Sequence, residues 1–392
     1  MKIKLDQLGQ FYSAINNEKN PGTFNVGVYL KEPLDGVILQ NAVNDIMKRL
    51  PHMNVVEYSG IMNYYHQAYG GILKIEKEDS KLEPCRFFNK GSQLLRIMYG
   101  ERHFTLEVLH SVCDGRSLAM VASSLLIRYY ELMGIESNKE GFIDCNADLQ
   151  AEELEDAYVR YADMREFKSE KEDDIYVPKH ETTATKIITQ KFDLVELKNR
   201  AKSHDITISE YIIALIVSEF TKQRRKDDSN KMIIVNVPID CRGFFPSKSL
   251  RNFVSHKVVK ISKHLDFIQI AQSIKKQLSE ITPDYIQGKI SETEKLIRLV
   301  RFIPIFIKKR IIQSFGRGAS AGYTTGFSNL GLIKLPKEIQ DKVDMYSFAL
   351  GAEPNMPYQF ACVAIGNTLT LSTTTTAKDT ELIDRIGKAL LQ

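Results

Sequence analysis

Between Phe104 and Leu132 the hydrophobic residues of this chain change their period once, and that change restricts what can be built around it. Phe104, Leu106 and Val108 alternate with more polar neighbours, as residues of a half-buried strand do. From Gly115 onward Leu118, Val121, Ala122, Leu125, Leu126, Tyr129 and Leu132 recur at helical spacing. A strand must therefore stop and a helix begin across His110-Ser111-Val112-Cys113-Asp114-Gly115. Junctions of this kind put side chains into clefts, and the first side chain delivered is the imidazole of His110.

The flanking sequence reads as mixed α/β. Thr23 to Lys31 follows the breaker pair Pro21-Gly22 and is rich in aromatic and β-branched residues, which predicts a strand. Asp35 then caps a helix whose apolar stripe is Val37, Leu39, Ala42, Val43, Ile46, Met47 and Leu50, ending before Pro51. Strands are expected at Asn54 to Tyr58, Ile72 to Glu76 and Gln93 to Tyr99. Consecutive strands without intervening helices favour an antiparallel or mixed sheet.

From Asn138 to about Glu181 the chain turns acidic, which reads either as a partly helical crossover between lobes or as a solvated helix and loop. The second half restarts like the first, with a strand at Lys186 to Phe192 and a helix opened by Asp193, so that two related lobes are expected. Thr207 and Glu210 have capping-box spacing ahead of the apolar run Tyr211 to Phe220. Strands follow at Met232 to Pro238 and Val254 to Ile261, and later at Met345 to Leu350, Gln359 to Ile365 and Thr368 to Thr376, with a closing helix from Asp379. Thr324 to Gly331 reads as a strand running into a turn. The segment Leu296 to Phe315 is basic and very apolar, and Pro304 should divide it. It reads as core helices with basic exposed edges, or as a contact with a membrane surface or an acyl chain.

Composition sets outer limits. With 392 residues, 43% hydrophobic and 26% charged, the chain can bury a large core. A net charge of +4 and the absence of a nucleic-acid motif argue against nucleic acid as a partner. The five cysteines, Cys85, Cys113, Cys145, Cys241 and Cys362, lack Cys-x-x-Cys spacing, and reduced thiols in a cytoplasm fit them. No secretory h-region opens the sequence and no long uncharged apolar run interrupts it, so a cytoplasmic protein is expected; a monomer is expected as well, though the sequence does not fix the oligomeric state. His and Cys are scattered without ligand spacing, and neither a dinucleotide nor a phosphate-loop motif occurs, so no metal and no permanently bound cofactor is expected.

Three segments in order, His110-Ser111-Val112-Cys113-Asp114-Gly115, Pro238-Ile239-Asp240-Cys241-Arg242 with Leu250-Arg251-Asn252-Phe253-Val254, and Phe327-Ser328-Asn329-Leu330-Gly331, resemble the chloramphenicol acetyltransferase superfamily over nearly the whole chain. That group includes condensation domains, plant-type alcohol acyltransferases, and microbial alcohol acetyltransferases and polyketide-associated acyltransferases. Leu109 stands where condensation domains usually carry a second histidine, and the Asp-Phe-Gly-Trp-Gly element of plant enzymes is absent, which favours the microbial alcohol acetyltransferase-like branch.

The resemblance implies an α/β fold of two lobes with mixed sheets and a tunnel between them. Residues 1–150 would form an N-terminal lobe carrying the histidine motif, 151–180 a charged linker, and 181–392 a C-terminal lobe. It implies acyl transfer from a thioester, acyl-CoA or a phosphopantetheine arm, to a small alcohol or amine, with an acidic acyl carrier protein as an alternative donor suited to Lys222 to Lys226 and Lys308 to Arg310. A non-catalytic binding member of the fold is the competing reading. His110 would be the general base, since a neutral imidazole accepts a proton near pH 7. Asp114 and Arg242 would form a structural ion pair, with Gly115 allowing close approach at the helix start. The oxyanion would fall to Ser328 and Asn329, with Thr325 as a further donor or substrate contact.

Overall fold

The computed structural model describes residues 2–18, 20–78, 84–85, 87–163, 174–224, 228, 230–262, 265–300, 302–310, 322–352 and 355–392. The change of period falls where the sequence places it. A strand, His103–Leu109, leads into a helix, Gly115–Leu132, and Phe104, Leu106 and Val108 are buried.

That strand is the centre of a five-stranded sheet whose order is Val343–Leu350, Thr23–Leu30, His103–Leu109, Leu95–Tyr99 and Glu76–Lys77. The pairings are antiparallel except the last, which is parallel. One strand, Val343–Leu350, comes from the far half of the sequence and completes this sheet against Thr23–Leu30, with Tyr346 opposite Val28 and Phe348 opposite Val26. The sequence-based division at residues 150 and 181 is thus crossed by one strand. Helices Gly36–Arg49 and Gly115–Leu132 pack on the sheet, and Tyr346 and Phe348 join their core.

A six-stranded sheet runs Val254–Ile261, Ile233–Asp240, Thr325–Ile333, Tyr358–Ile365, Thr368–Ala377 and Thr182–Asp193. It is mixed: Thr325–Ile333 is parallel to both neighbours and the remaining pairs are antiparallel. Every residue of Tyr358–Ile365 is buried, because both faces of the sheet are covered. Phe360, Cys362 and Ala364 meet the core formed with helices Ile208–Gln223, Phe267–Ser279 and Glu381–Leu391, whereas Ala361, Val363 and Ile365 meet the core of the first sheet. Two cores therefore lean on one sheet.

Local sequence signals explain most boundaries. Asp35 accepts from the amides of Val37 and Ile38 (2.7 and 3.1 Å). The Thr207 hydroxyl accepts from the Glu210 amide and the Glu210 carboxylate from the Thr207 amide, closing the capping box. Pro304 divides the segment around it: one helix, Pro283–Val300, precedes it, and a new turn starts with Ile307 and Lys308 donating to the Pro304 carbonyl. Residues 301 and 311–315 of that segment lie outside the described residues.

Three expectations change. Ile72 to Glu76 is not a strand: only Glu76–Lys77 pairs, since Leu73 alone turns inward while Ile72 is 63% exposed. Val37 does not belong to its helix's buried stripe, being 73% exposed. A three-stranded sheet of Lys2–Lys4, Tyr64–Ala68 and Val55–Ser59 had only its third strand marked by sequence pattern. Tyr64–Ala68 alternates through Tyr64 and His66, which are buried but polar, so a hydrophobicity count misses it.

His52 sits buried beneath the end of helix Gly36–Arg49, and among the described residues neither ring nitrogen has a hydrogen-bonding partner. Burial, with the cations Arg251 and Arg49 nearby, pushes the imidazole down to about 3 from its ordinary 6.5. The unfolded chain therefore binds a proton here at pH values where the folded one does not, and stability must fall as pH drops below about 6.5. Between pH 7 and pH 5 this residue should remove about 2 kcal/mol of stability. Denaturant unfolding at the two pH values should show a clearly smaller loss in His52→Leu than in the parent chain.

Candidate active site

His110 is fixed from both sides. Its amide donates to the Gly22 carbonyl (2.9 Å), extending the pairing of its strand, and the Val112 amide closes a turn onto Leu109 (2.9 Å). Two residues on, Asp114 caps helix Gly115–Leu132 by accepting from the Ser117 amide (2.9 Å). The imidazole lies flat on Tyr12, with centroids 4.0 Å apart and planes 7° apart, and Phe24 tilts against it at 4.8 Å. Tyr12 belongs to helix Gln7–Ile15.

The imidazole Nδ1 meets Asn252 Oδ1 at 3.0 Å. The other end of that amide settles which proton is shared. Asn252 Nδ2 faces only acceptors, the two Asp6 carboxylate oxygens (3.3 Å each) and the His110 carbonyl (3.1 Å). An NH2 group belongs there, so the amide oxygen must point at the ring. Nδ1 then carries the proton, and Nε2 keeps its lone pair. Asp6 is itself held by the Gly9 amide (2.6 Å) and by Arg251 (Nε to Oδ2, 3.4 Å), and it is fully buried.

Burial lowers the His110 pKa below its ordinary 6.5, prevailing over the opposing pulls of its local backbone, the Asp114 charge, the Asn252 hydrogen bond and Asp6. The ring is therefore neutral at pH 7 and able to accept a proton. Burial pushes the neighbouring Cys113 thiol well above its ordinary 9.0, which keeps it protonated and a poor nucleophile.

Asp114 does not touch the imidazole through its carboxylate. Its Oδ2 accepts from Arg242 Nη1 (2.7 Å) and from the Phe253 amide (2.9 Å), 128 and 139 residues away in sequence. Burial alone would raise this carboxyl, but Arg242 and the amides of Ser117 and Phe253 hold it below its ordinary 3.8. Arg242 also donates to Asp240, to Ser117 and to the carbonyls of Ser249 and Arg251.

A cavity of about 500 Å³ opens beside His110. Phe24, Met120, Phe142, Leu330 and Phe348 give it an apolar wall, and Arg116, Asp240, Glu140 and Lys334 supply charges. Gly115 is part of the wall: a Cβ there would stand 3.1 Å from both Leu330 Cδ2 and Phe348 Cζ. Ser328 and Asn329 also line the cavity, on the strand opposite the histidine. Of these two, Ser328 has no side-chain hydrogen bond to another of the described residues, and it lines the cavity. The Asn329 amide donates to the Ser209 hydroxyl (2.9 Å) and its oxygen accepts from the Gly331 amide (2.7 Å), which secures the register shift between Asn329 and Leu332. Thr325 does not reach the cavity; it is buried with its hydroxyl donating to the Tyr358 carbonyl (2.7 Å).

A second imidazole, His66, lies 3.2 Å from the Ser111 hydroxyl with Glu57 at 3.9 Å, but both partners meet the same nitrogen, so no proton relay is formed. Among the described residues no cluster of three or more His, Cys, Asp or Glu could hold a metal ion. Asn252 stood in a segment the sequence analysis singled out, without a role. Asp6 and Tyr12 carried no signal, because their importance comes from a contact more than 90 residues away.

No protein-family model matches the sequence, and no curated protein matches it significantly. Solved structures do match the fold. The polyketide synthase associated protein 5 of Mycobacterium tuberculosis is 12% identical, with 99% of this chain and 96% of that one covered and a TM-score of 0.64. The trichothecene 15-O-acetyltransferase of Fusarium sporotrichioides is 11% identical over 100% of this chain and 94% of that one, TM-score 0.65. The starter condensation domain of rhizomide synthetase, solved with C8-CoA and Leu-SNAC, is 8% identical over 99% and 93%, TM-score 0.63.

Because the Asp114 carboxylate and the Arg242 guanidinium are both buried, removing one strands the other. Arg242→Ala should cost about 3–5 kcal/mol of unfolding free energy. A double-mutant cycle with Asp114→Asn, read by denaturant unfolding, should give a coupling energy well above the ~1 kcal/mol of an exposed pair.

Proposed function

We propose that this chain, which has the chloramphenicol acetyltransferase-like fold, is an acyltransferase that moves an acyl group from a thioester directly to the hydroxyl or amine of a small acceptor, with no acyl-enzyme. The observation that carries the reading is the orientation of Asn252, which leaves His110 Nε2 as a neutral acceptor beside a cavity with an apolar wall. That is what a base for an attacking hydroxyl or amine requires.

In this mechanism the acceptor attacks the thioester carbonyl while Nε2 takes its proton. The imidazolium formed is stabilised through Asn252 Oδ1 and, behind it, by the Asp6 carboxylate. The carbonyl oxygen becomes an oxyanion, for which the Ser328 hydroxyl is the available donor on the facing strand; Asn329 acts by holding that strand's bend. Collapse of the tetrahedral adduct breaks the carbon–sulfur bond, and the departing thiolate recovers the proton from Nε2. The apolar wall would take the acyl chain, and Gly115 leaves it passage.

Coenzyme A is taken as the donor, with a carrier-protein arm as the alternative. Of the basic stretches that could dock an acidic carrier, Lys308 turns its ammonium inward to the Met62 carbonyl and Asn63, and Arg224 lies over the Tyr176 ring. Neither of these two is presented to a partner, whereas Lys222 and Arg310 of the same stretches are exposed. The fold neighbours that act on or bind acyl groups, among them the acetyltransferase and the domain solved with C8-CoA, are consistent with this donor.

The test is thiol release over a panel of acyl-CoAs with alcohols and amines. His110→Ala should lower kcat/KM by about 10²–10⁴-fold. Release untouched by that substitution would end the mechanism, and no release with any donor or acceptor would favour a binding protein. The pH profile gives a separate check. Because burial lowers the base's pKa, the acid limb of kcat/KM should have its midpoint below 6.5. In Asn252→Ala, which loses a hydrogen bond that supports the protonated ring, the limb should move to still lower pH while kcat falls.

A further inference from the structure

The hairpin tip between strands Val55–Ser59 and Tyr64–Ala68 and the turn after Pro304 are far apart in sequence, and the fold joins them. The Ile305 amide donates to the Ile61 carbonyl (2.8 Å), and Lys308 Nζ donates to the Met62 carbonyl (2.8 Å) and to Asn63 Oδ1 (3.1 Å). Ile305 turns inward against Leu5, Ala14, Tyr64 and Tyr65. Five other apolar side chains turn out. Ile61 and Phe302 are each 80% exposed and Phe306 67%, and Met62 and Ile307 are exposed as well.

Large apolar side chains gathered on one surface are uncommon unless something covers them. The charge and aromatic content around this patch say what. Lys309 and Arg310 follow directly in sequence, and no Asp or Glu occurs from Lys295 to Arg310. On the adjoining sheet, Tyr58 stacks on Tyr65, its cross-strand partner, at 5.6 Å. Lys2 Nζ sits over the Tyr65 ring at 3.9 Å, and Lys4, opposite Tyr65, is exposed like Lys2. The nearby acid Glu57 is turned inward, hydrogen-bonded to the Ser13 hydroxyl.

Protruding aliphatic and phenyl groups, tyrosines beside them and lysines at the rim form the layered arrangement that an interface between water and anionic lipid selects. An acidic protein partner would be met by the cations but would leave Ile61, Phe302 and Phe306 without a matching surface. We infer that this patch, built from the 58–65 hairpin and residues 302–310, seats the protein on an anionic lipid surface.

The placement is relevant to the site. Gln10 of helix Gln7–Ile15 clasps the hairpin through two bonds to Tyr64 (2.7 and 2.9 Å), and Tyr12 of the same helix stacks on His110. Helix Gln7–Ile15 thus touches both the hairpin and the imidazole. No helix among the described residues is long and apolar enough to cross a membrane, so the contact is a peripheral one.

Co-sedimentation of the full chain with phosphatidylcholine vesicles, with and without phosphatidylserine, tests this inference. The protein should sediment with the anionic vesicles at about 0.1 M salt, much less with neutral ones, and should be released as salt rises toward about 0.5 M. The double variant Phe302→Ser/Phe306→Ser should lose about tenfold or more in partitioning for each phenylalanine. Ile61→Ser, in the other segment, should weaken it in the same direction, and each variant should keep the parent's unfolding midpoint because the residues are exposed. His110→Ala should bind vesicles as the parent does, which separates this inference from the proposed chemistry. It is overturned if the parent ignores anionic vesicles, binds both kinds equally, or binds as well after both phenylalanines are replaced. Binding to an acidic carrier protein in place of vesicles would also overturn it.

Discussion

Arg242 carries its charge on a side chain that is only 5% exposed, and the geometry around the candidate site depends on it. Its guanidinium joins the Asp114 carboxylate at the start of one helix to the carbonyls of Ser249 and Arg251 in a loop from the other half of the chain. Desolvating such an ion is costly, and here every direction around it is met by an acceptor. The result is that the loop carrying Asn252 and the turn carrying His110 keep one spacing. The tautomer of the imidazole is therefore set at second remove: Arg242 places the loop, the loop places the amide, and the amide places the proton.

Two opposing influences act on that imidazole. Stacking between Tyr12 and Phe24 removes water from the ring and disfavours its charged form, while the line Asn252–Asp6 favours it once a proton arrives. The net result is a ring that burial keeps neutral, with a hydrogen-bonded line that supports its charged form. A solvent-exposed ring would have neither the desolvation nor the directed support.

Much of this was legible in the residues. The change of hydrophobic period located His110, and the capping chemistry at Asp35, Asp193 and Thr207 located helix starts. These are local signals, and local signals survive in a linear text. What escaped was of two kinds. Polar residues with buried roles, such as His66 in an inward-facing strand, defeat a count of apolar positions. Contacts that exist only after folding, such as Asp6 with Asn252 or Asn329 with Ser209, leave no spacing to detect. Asn329 shows the second kind plainly: the Ser-Asn pair reads as two adjacent donors, yet alternation along a strand and a bend at Gly331 send the two side chains to different work.

The strand Val343–Leu350 has a consequence for how the molecule comes into being. Thr23–Leu30, its partner, is made more than 300 residues earlier and would wait with one edge unpaired while the rest of the chain emerges. An unpaired apolar edge is a hazard for association with other chains, and pairings this distant in sequence form slowly. The first half thus has no finished state of its own during synthesis. Its sheet is sealed only once the chain has been made through Leu350, which makes the order of assembly, rather than final stability alone, a point at which production of this protein can fail.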